Sequence, residues 1–232
     1  MAMLLNFSSG LFASIGFGLT ANAEDDTETS TITFKELDGT QGATGENYDK
    51  LIDGNKTSTK WCVTSFSNHS SVYIVFKASD RIFVDGYTIT TGNDNSKNNG
   101  RNPNSWTLNG CNDYDEVKKT SESWEPIATV EGDKLEDDKK LKDENNKDYD
   151  FSVDNTTTAY QYFKLEITAI QSGNCMQMSE FTLSYTTCDH VWGENITRTI
   201  APTCTEGGYD VYTCSKCGAE KGANRKQQRT WT

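Results

Sequence analysis

The segment of residues 51–61 constrains this chain more than any other, because it places four oxygen-bearing side chains within one short turn. These side chains belong to Asp53, Asn55, Ser58 and Thr59. Gly54 allows the backbone to turn tightly there, since glycine tolerates positive φ. Carboxylate, amide, hydroxyl and main-chain oxygens at about 2.3–2.6 Å are the ligands that Ca²⁺ prefers. The segment therefore predicts a cation loop anchored by Trp61, and we expect Glu180 to supply the further carboxylate that such a loop needs.

Composition and charge restrict the classes of partner. Of the 232 residues, 34% are hydrophobic and 11% are aromatic, a combination that suits a polar-surfaced β domain better than a helical bundle. The formal net charge is −12, which makes nucleic acid and anionic membranes unfavourable partners. An acidic surface is compatible with a secreted protein, a calcium site and neutral ligands.

Residues 1–23 have the pattern of an export signal. An apolar run over residues 4–19 precedes an A-x-A cleavage pattern at residues 21–23, as in secretory signals. No Lys or Arg precedes Lys35, which is explained if the signal begins further upstream. The run is too short for a membrane anchor, which needs about 20 apolar residues. We therefore predict a secreted or extracellular cell-surface protein without membrane insertion, with a flexible leader over residues 24–31.

Short runs rich in β-branched and aromatic residues recur from residue 32 to residue 186, and several alternate between inward and outward positions. The runs cover residues 71–76, 82–90, 105–108, 125–130, 160–167 and 180–185. Turn-rich segments separate them, which favours an all-β sandwich. Residues 131–150 are mostly charged and polar. We interpret them as a solvated insertion between two strands, with a short charged helix or an acidic docking segment as alternatives.

Several segments occur in an order that is typical of one family. They are LIDGN…TKW (51–61), TGNDN (91–95), RNPNSWTLNGCND (101–113), WEPI (124–127), YFKL (162–165) and MQMSEF (176–181). Together they resemble the coagulation-factor C-type, or discoidin-like, domain of the galactose-binding-like superfamily, which includes carbohydrate-binding modules of bacterial glycosidases. The resemblance covers about residues 32–186. It implies a jelly-roll β-sandwich with a structural calcium and a ligand site on loops at one end.

The resemblance also implies which residues hold calcium. Carried over, they are Lys50 (main chain), Asp53, Asn55, Thr59 and Glu180, with the main chain of Ser179 adjacent. The segment from Asp53 to Trp61 is one residue longer than the usual pattern, which leaves Ser58 as an alternative to Thr59. The ion would be structural, because without it the oxygens would face each other with no counter-charge.

Sugar sites combine an aromatic face with charged or amide groups, and they sit on loops between rigid strands. The loop residues that we expect to bind a ligand are His69, Asn93, Asn95, Arg101 and Asn174. Trp61 and Trp106 we expect in the core. With two histidines and neither a G-x-S-x-G nor an H-E-x-x-H motif, the chain lacks the common hydrolytic constellations, and we predict that it is not an enzyme.

The predicted function is that of a carbohydrate-binding module. It would attach a larger surface protein or glycosidase to galactose-like or amino-sugar glycans, and we expect the module to be monomeric. The alternative is a discoidin-type adhesion domain whose partner is a cell-surface protein.

Residues 187–232 form a second, Cys-rich module that resembles a short repeat of bacterial surface proteins and ends as if truncated. Its zinc candidates are Cys188, His190, Cys204, Cys214 and Cys217. Cys214 and Cys217 have the spacing of two thiolates on one turn, and Cys204 with either Cys188 or His190 would complete a tetrahedral site. Disulfides are the alternative, since an exported chain permits them. The three remaining cysteines, Cys62, Cys111 and Cys175, we expect as free thiols within the sandwich.

Overall fold

The computed structural model describes residues 31–154 and 157–224, and its regular structure is almost entirely β. The predicted export signal over residues 1–23 lies outside the described residues. The strands are β1 (Phe34–Gly39), β2 (Trp61–Val63), β3 (Val72–Thr90), β4 (Pro103–Cys111), β5 (Glu125–Glu131), β6 (Asp148–Ser152), β7 (Tyr160–Ile170), β8 (Met176–Met178), β9 (Glu180–Thr187), β10 (Arg198–Ile200), β11 (Tyr209–Thr213) and β12 (Glu220–Asn224). Helical structure in the described part of the chain is limited to short 3-10 turns at Tyr48–Lys50, Phe66–Asn68, Asn95–Lys97 and Gly132–Lys134. The all-β prediction is confirmed.

Strand β3 belongs to two layers at once. Its first half pairs with β1 on one side and with β7 on the other, and β7 is followed by β4 and then β5. Its second half pairs with β6 and β9. The pairing with β7 is interrupted between Lys77 and Ile82, where the strand passes from one layer to the other. The result is a sandwich of a five-stranded and a three-stranded layer.

The pairing register places both ends of β3 at the same end of the sandwich. The start of β3 pairs with β7 at Val72 and Ile167, and its end pairs with the start of β9 at Thr90 and Glu180. Since only a short connection and β8 separate β7 from β9, these two strand ends lie close together. We call this the loop end. The turn of β3 at residues 79–81 lies at the opposite end, which we call the corner end.

The inward faces of the two layers form one core. Phe76 stacks on Phe163 within the larger layer at 5.5 Å and meets Phe181 of the smaller layer edge-on at 6.0 Å. The indole Nε1 of Trp106 donates a hydrogen bond of 2.9 Å to the Tyr87 hydroxyl across the layers. Trp106 is fully buried, as is Trp61, so the core positions predicted for both residues are confirmed.

The charged segment of residues 131–150 is only partly the solvated insertion that we predicted. Its first half is largely exposed after a 3-10 turn, but Leu141 is buried and the residues after it pack against the loop end. The carbonyl oxygens of Lys142 and Glu144 accept hydrogen bonds from Asn102 and Thr91, respectively. The segment then enters β6, a strand that the sequence analysis missed.

The C-terminal module contains a small antiparallel sheet of β10, β11 and β12. Its first cysteine, Cys188, directly follows the last residue of β9, so the module begins at the corner end. Across residues 31–154 and 157–224, no helix is long and apolar enough to cross a membrane.

Replacing Trp106 tests the cross-layer packing. We expect Trp106→Ala to lower the free energy of unfolding by about 3–5 kcal/mol, because it leaves a large cavity and removes the bond to Tyr87. Chemical denaturation measures the change, and Val117→Ala, at a position that is 92% exposed, is the control. A loss no larger for Trp106→Ala than for Val117→Ala would contradict this description of the core.

Candidate functional site

The turn after Leu51 is held by its own polar side chains. The backbone N–H of Asn55 donates to Asp53 Oδ1 at 2.9 Å, and the hydroxyl of Thr59 lies 3.1 Å from the same oxygen. Gly54 has a φ of +75°, the left-handed conformation that glycine adopts without strain. The turn is joined to β9 by the backbone, since the N–H of Phe181 donates to the Leu51 carbonyl at 2.7 Å.

Glu180 faces this turn from β9 with incomplete hydrogen bonding. The residue is 6% exposed, and its Oε2 is buried without a hydrogen-bond partner among the described residues. Burial, followed by the negative charge of Asp53, raises the pKa of Glu180 to about 7, although backbone N–H groups of Gly54 and Asn55 act in the opposite direction. A buried carboxylate next to a second carboxylate, with an oxygen that lacks a donor, fits a site for a hard cation.

The remaining predicted calcium ligands differ in how their polar groups are placed around the turn. The hydroxyl of Thr59 points to Asp53 and to the carbonyl of Asn55, whereas Ser58 contributes its backbone N–H to Asn55 Oδ1. This geometry favours Thr59 over Ser58. Ser179 is buried, and its N–H donates to the Thr90 carbonyl at 2.9 Å. The Lys50 side chain pairs with Asp49, which is consistent with the prediction that only its main chain serves the site.

A cluster of charged and amide side chains lies beside the turn at the loop end. The ammonium group of Lys60, a residue that is only 6% exposed, lies 2.7 Å from Asp94 and 3.6 Å from Glu46. Burial alone would raise the pKa of Asp94, but the hydrogen bond and charge of Lys60 outweigh it, so that this pKa is lowered. The Arg101 guanidinium contacts Gln177 Oε1 at 3.4 Å. These five residues form the loop-end cluster.

The predicted ligand residues occupy different environments. His69 and Asn174 are exposed, and Asn93 and Arg101 are half-buried. Asn174 joins two loops by accepting hydrogen bonds from the backbone of Phe66 and Ser67. Asn95 is a correction: it is fully buried, donates to Asn102 and accepts from Gln177, so it supports the loop instead of contacting a ligand.

Four residues of the loop-end cluster were not predicted from the sequence: Lys60, Asp94, Glu46 and Gln177. Asp94 stands between two predicted residues, Asn93 and Asn95, and Lys60 precedes the anchoring Trp61. Their positions in the sequence could therefore have identified Asp94 and Lys60 as site residues. The pairing of Glu46 and Gln177 with them depends on contacts between distant segments, which no local pattern reveals.

A polar groove of about 380 Å³ lies on the outer face of the larger layer. Tyr73, Tyr114 and Trp124 provide aromatic surface, and Lys164 and Glu166 provide charge. Tyr73 points outward because its neighbours Val72 and Ile74 lie in the core and side chains alternate along a strand. The hydroxyl of Tyr114 is buried without a hydrogen-bond partner in the described structure. The groove is a second concave surface with aromatic and polar groups.

Four side chains of the C-terminal module form a compact group at the corner end. The possible ligand atoms of Cys188, His190, Cys214 and Cys217 all lie within 4.8 Å of one another. The backbone N–H of Lys216 points to Cys214 Sγ at 3.4 Å, and Gly218 has a φ of +70°. This group, the corner-end cluster, could hold a metal ion. Cys204, the other predicted candidate, is exposed and does not belong to it.

The three cysteines of the sandwich are present as thiols. Cys111 is buried on the outer face of the larger layer with Val75 and Tyr114. Cys62 and Cys175 lie at the loop end with their sulfur atoms 3.3 Å apart. The hydrogen bond with Cys175, followed by burial, raises the pKa of Cys62, so this thiol is held in its neutral form.

No protein-family model matches the chain, and no curated protein matches it. Solved structures with a similar arrangement include an F5/8 type C domain from Bacteroides fragilis, at 11% identity and a TM-score of 0.49, with 66% of this chain and 90% of that chain covered. The family 32 carbohydrate-binding module of Streptococcus pneumoniae EndoD is 15% identical at a TM-score of 0.47, covering 66% and 96%.

A further similar structure is the family 32 module of Clostridium perfringens NanJ in complex with galactose, at 15% identity and a TM-score of 0.45, covering 66% and 92%. These neighbours are domains of the kind that the sequence motifs resemble. The strand pairing by itself shows the β-sandwich.

The ion pair of Lys60 and Asp94 provides a test of the loop-end cluster. We expect Asp94→Asn to destabilise the protein by about 1–3 kcal/mol, because it leaves the nearly buried ammonium group of Lys60 with only the more distant Glu46. Thermal and chemical unfolding measure the change. Asp137→Asn, which removes a partner of Lys140 at the surface, should leave stability unchanged. Equal effects of the two substitutions would show that the Lys60 pair is not structurally important.

Proposed function

We propose that this chain is a non-catalytic glycan-binding module, that its ligand site is the loop end, and that a calcium ion holds the adjacent turn. The observation that carries the proposal is the loop-end cluster, in which charged and amide groups are fixed by contacts between three loops and β8. A neutral polar ligand with many hydroxyl groups is the chemistry that such fixed donors and acceptors recognise.

The chemistry of the cluster suits galactose-like or amino sugars. Arg101 supplies donors in a planar fork, while the carboxylates of Asp94 and Glu46 supply acceptors. Both carboxylates are partly exposed, and an acceptor pair of this kind would also bind the ammonium group of an amino sugar. Phe66, on the neighbouring loop, is half-buried and offers an aromatic surface.

Calcium is proposed because the turn and Glu180 provide oxygen ligands that lack sufficient donors. The carboxylates of Asp53 and Glu180, the Thr59 hydroxyl and the nearby carbonyls are hard ligands of the type that Ca²⁺ selects. When bound, the ion would supply the positive charge that this buried pair needs. Its role would be to fix the turn against β9, next to the ligand loops.

Secretion is part of the same proposal. The predicted signal over residues 1–23 supports it, and extracellular calcium would keep a site of modest affinity occupied. Glycans of surfaces and matrices are also encountered there.

Zinc is proposed as the ion of the corner-end cluster. Three thiols and one imidazole form a soft ligand set that suits Zn²⁺ rather than Ca²⁺. The two proposed metal sites therefore differ in ligand chemistry and lie at opposite ends of the sandwich.

Glu180→Gln separates the charge of this side chain from its shape. We expect calcium to raise the melting temperature of the natural protein. At a calcium concentration of about 100 times Kd, the stabilisation should be about 2.7 kcal/mol. The melting temperature of Glu180→Gln should not change when calcium is added. In EGTA, with zinc held constant, the variant should be at least as stable as the natural protein, because it removes a buried unpaired charge. Glu122→Gln, at an exposed position, is the control. Identical melting of the natural protein with and without calcium would exclude the site.

Binding to arrays of galactose-, N-acetylgalactosamine- and glucosamine-terminated glycans tests the ligand site. We expect Arg101→Ala to weaken binding about 10-fold or more, the loss expected for a hydrogen bond to a charged group. Trp124→Ala should bind like the natural protein, since Trp124 lines the outer groove. The reverse result would move the glycan site to the groove, and no binding to any glycan would reject the function.

An adhesion domain is the second candidate, and Val117 is the observation that favours it. This residue is 92% exposed on the loop between β4 and β5, where a protein partner would cover its apolar side chain. If the glycan arrays are silent and binding to cell-surface protein is lost in Val117→Ser, the adhesion function replaces the glycan-binding one.

A further inference from the structure

The corner-end cluster is completed by residues of the sandwich. Asp80 and Arg81 belong to the turn of β3, far along the chain from the cysteines. Asp80 Oδ2 lies 2.8 Å from His190 Nε2, and the Arg81 guanidinium donates to the Cys217 carbonyl at 2.8 Å. Both sandwich residues therefore contact the module at, or next to, its possible metal ligands.

The hydrogen bonds of His190 assign separate tasks to its two ring nitrogens. Nδ1 faces the thiols and lies 3.3 Å from Cys217 Sγ, while Nε2 faces Asp80. A histidine that binds a metal through one nitrogen commonly donates its other N–H to a carboxylate, which fixes the ring and its tautomer. Asp80 stands in the position of that carboxylate.

Packing around the cluster also comes from both parts of the chain. Ala159 and Phe83 of the sandwich pack with Cys214, Cys217 and Ala219. Outside this shared cluster, few apolar side chains are buried in the described part of the module. Val211 is one of them. A module this small gains little stability from its own core, and metal ions commonly compensate for that.

We propose that a zinc ion at Cys188, His190, Cys214 and Cys217 locks the C-terminal module onto the corner end of the sandwich, with Asp80 as the positioning residue for His190. The proposal rests on the proposed zinc site and adds that a residue of the sandwich, Asp80, strengthens zinc binding by orienting His190. The lock holds the module away from the loop end, so that glycan binding and attachment to the rest of a larger protein use opposite ends.

Disulfide formation is the competing fate of the same thiols. Cys188 Sγ and Cys214 Sγ are 3.9 Å apart, and an oxidant that accepts two electrons and two protons would join them. That reaction would leave Cys217 and His190 without a shared partner. Zinc binding uses all four groups and explains why an imidazole oriented by Asp80 lies among three sulfur atoms.

The first experiment measures metal content and thiol state on the full chain, purified without added reductant. We expect one zinc per chain and no disulfide among Cys188, Cys214 and Cys217. Cobalt substitution should give the absorption bands of a tetrahedral site with three thiolates. A chain that lacks zinc, and whose mass is lower by two hydrogen atoms because Cys188 and Cys214 form a disulfide, would overturn the zinc site and with it the lock.

The second experiment tests the lock separately. Zinc affinity is measured by competition with a chromophoric chelator, and we expect Asp80→Asn to weaken it by about 10–100-fold. Asp85→Asn, at an exposed position on the same strand, should leave it unchanged. Asp80→Glu should restore part of the affinity and the cobalt spectrum, which a merely structural role of Asp80 would not achieve.

Hydrogen exchange gives the structural readout. Zinc should protect amides of residues 188–224 and also those of residues 79–83 in the sandwich, while the loop-end residues 60–69 remain unaffected. Suppose that the natural protein binds zinc tightly, that Asp80→Asn binds it equally well, and that zinc does not protect residues 79–83. The metal site would then stand, but the lock would be overturned. Glycan binding is unaffected by either outcome, so failure of the lock and failure of the proposed glycan function remain distinguishable.

Discussion

The passage of β3 from one layer to the other is the constraint on which the rest of the structure depends. Because its halves pair with different strands, the register fixes which loops meet at one end and which turn remains at the other. Thr90 at its end lies beside Glu180, and Asp80 at its turn lies beside His190. A single 19-residue strand thus connects the proposed calcium site to the proposed zinc site.

The loop end carries a concentration of charge that the core below it does not need for packing. Lys60 and Glu180 are nearly buried. Lys60 lies beside the carboxylates of Asp94 and Glu46, and Glu180 lies near the carboxylate of Asp53. Burying charge is costly unless it is paired. Nearly buried charge at one end of the sandwich is therefore typical of a binding surface, and calcium would offset the least compensated part of it.

Much of the fold could be predicted from the sequence, because alternating apolar residues identify half-buried strands directly. The turn at Asp53 also had a clear local signal, whereas Glu180 was assigned to it through the family resemblance. Strand β6 was missed because its two apolar residues, Tyr149 and Phe151, lie at the end of a long charged segment that masks their alternation. Asn95 was misassigned because the sequence does not distinguish an amide that binds a ligand from one that supports a loop. The contact of Asp80 with His190 depends on tertiary structure, which local patterns do not contain.

In the proposed arrangement, glycans bind at the loop end while the opposite end holds the C-terminal module. Backbone amide NMR shifts, recorded during titration with a galactose-type oligosaccharide in calcium, test it most directly. We expect shifts confined to residues 60–69, 92–101 and 171–177, with the signals of residues 79–83 and 188–224 unchanged. Shifts that instead cluster at the corner end, or around Tyr73 and Trp124 in the outer groove, would contradict this arrangement.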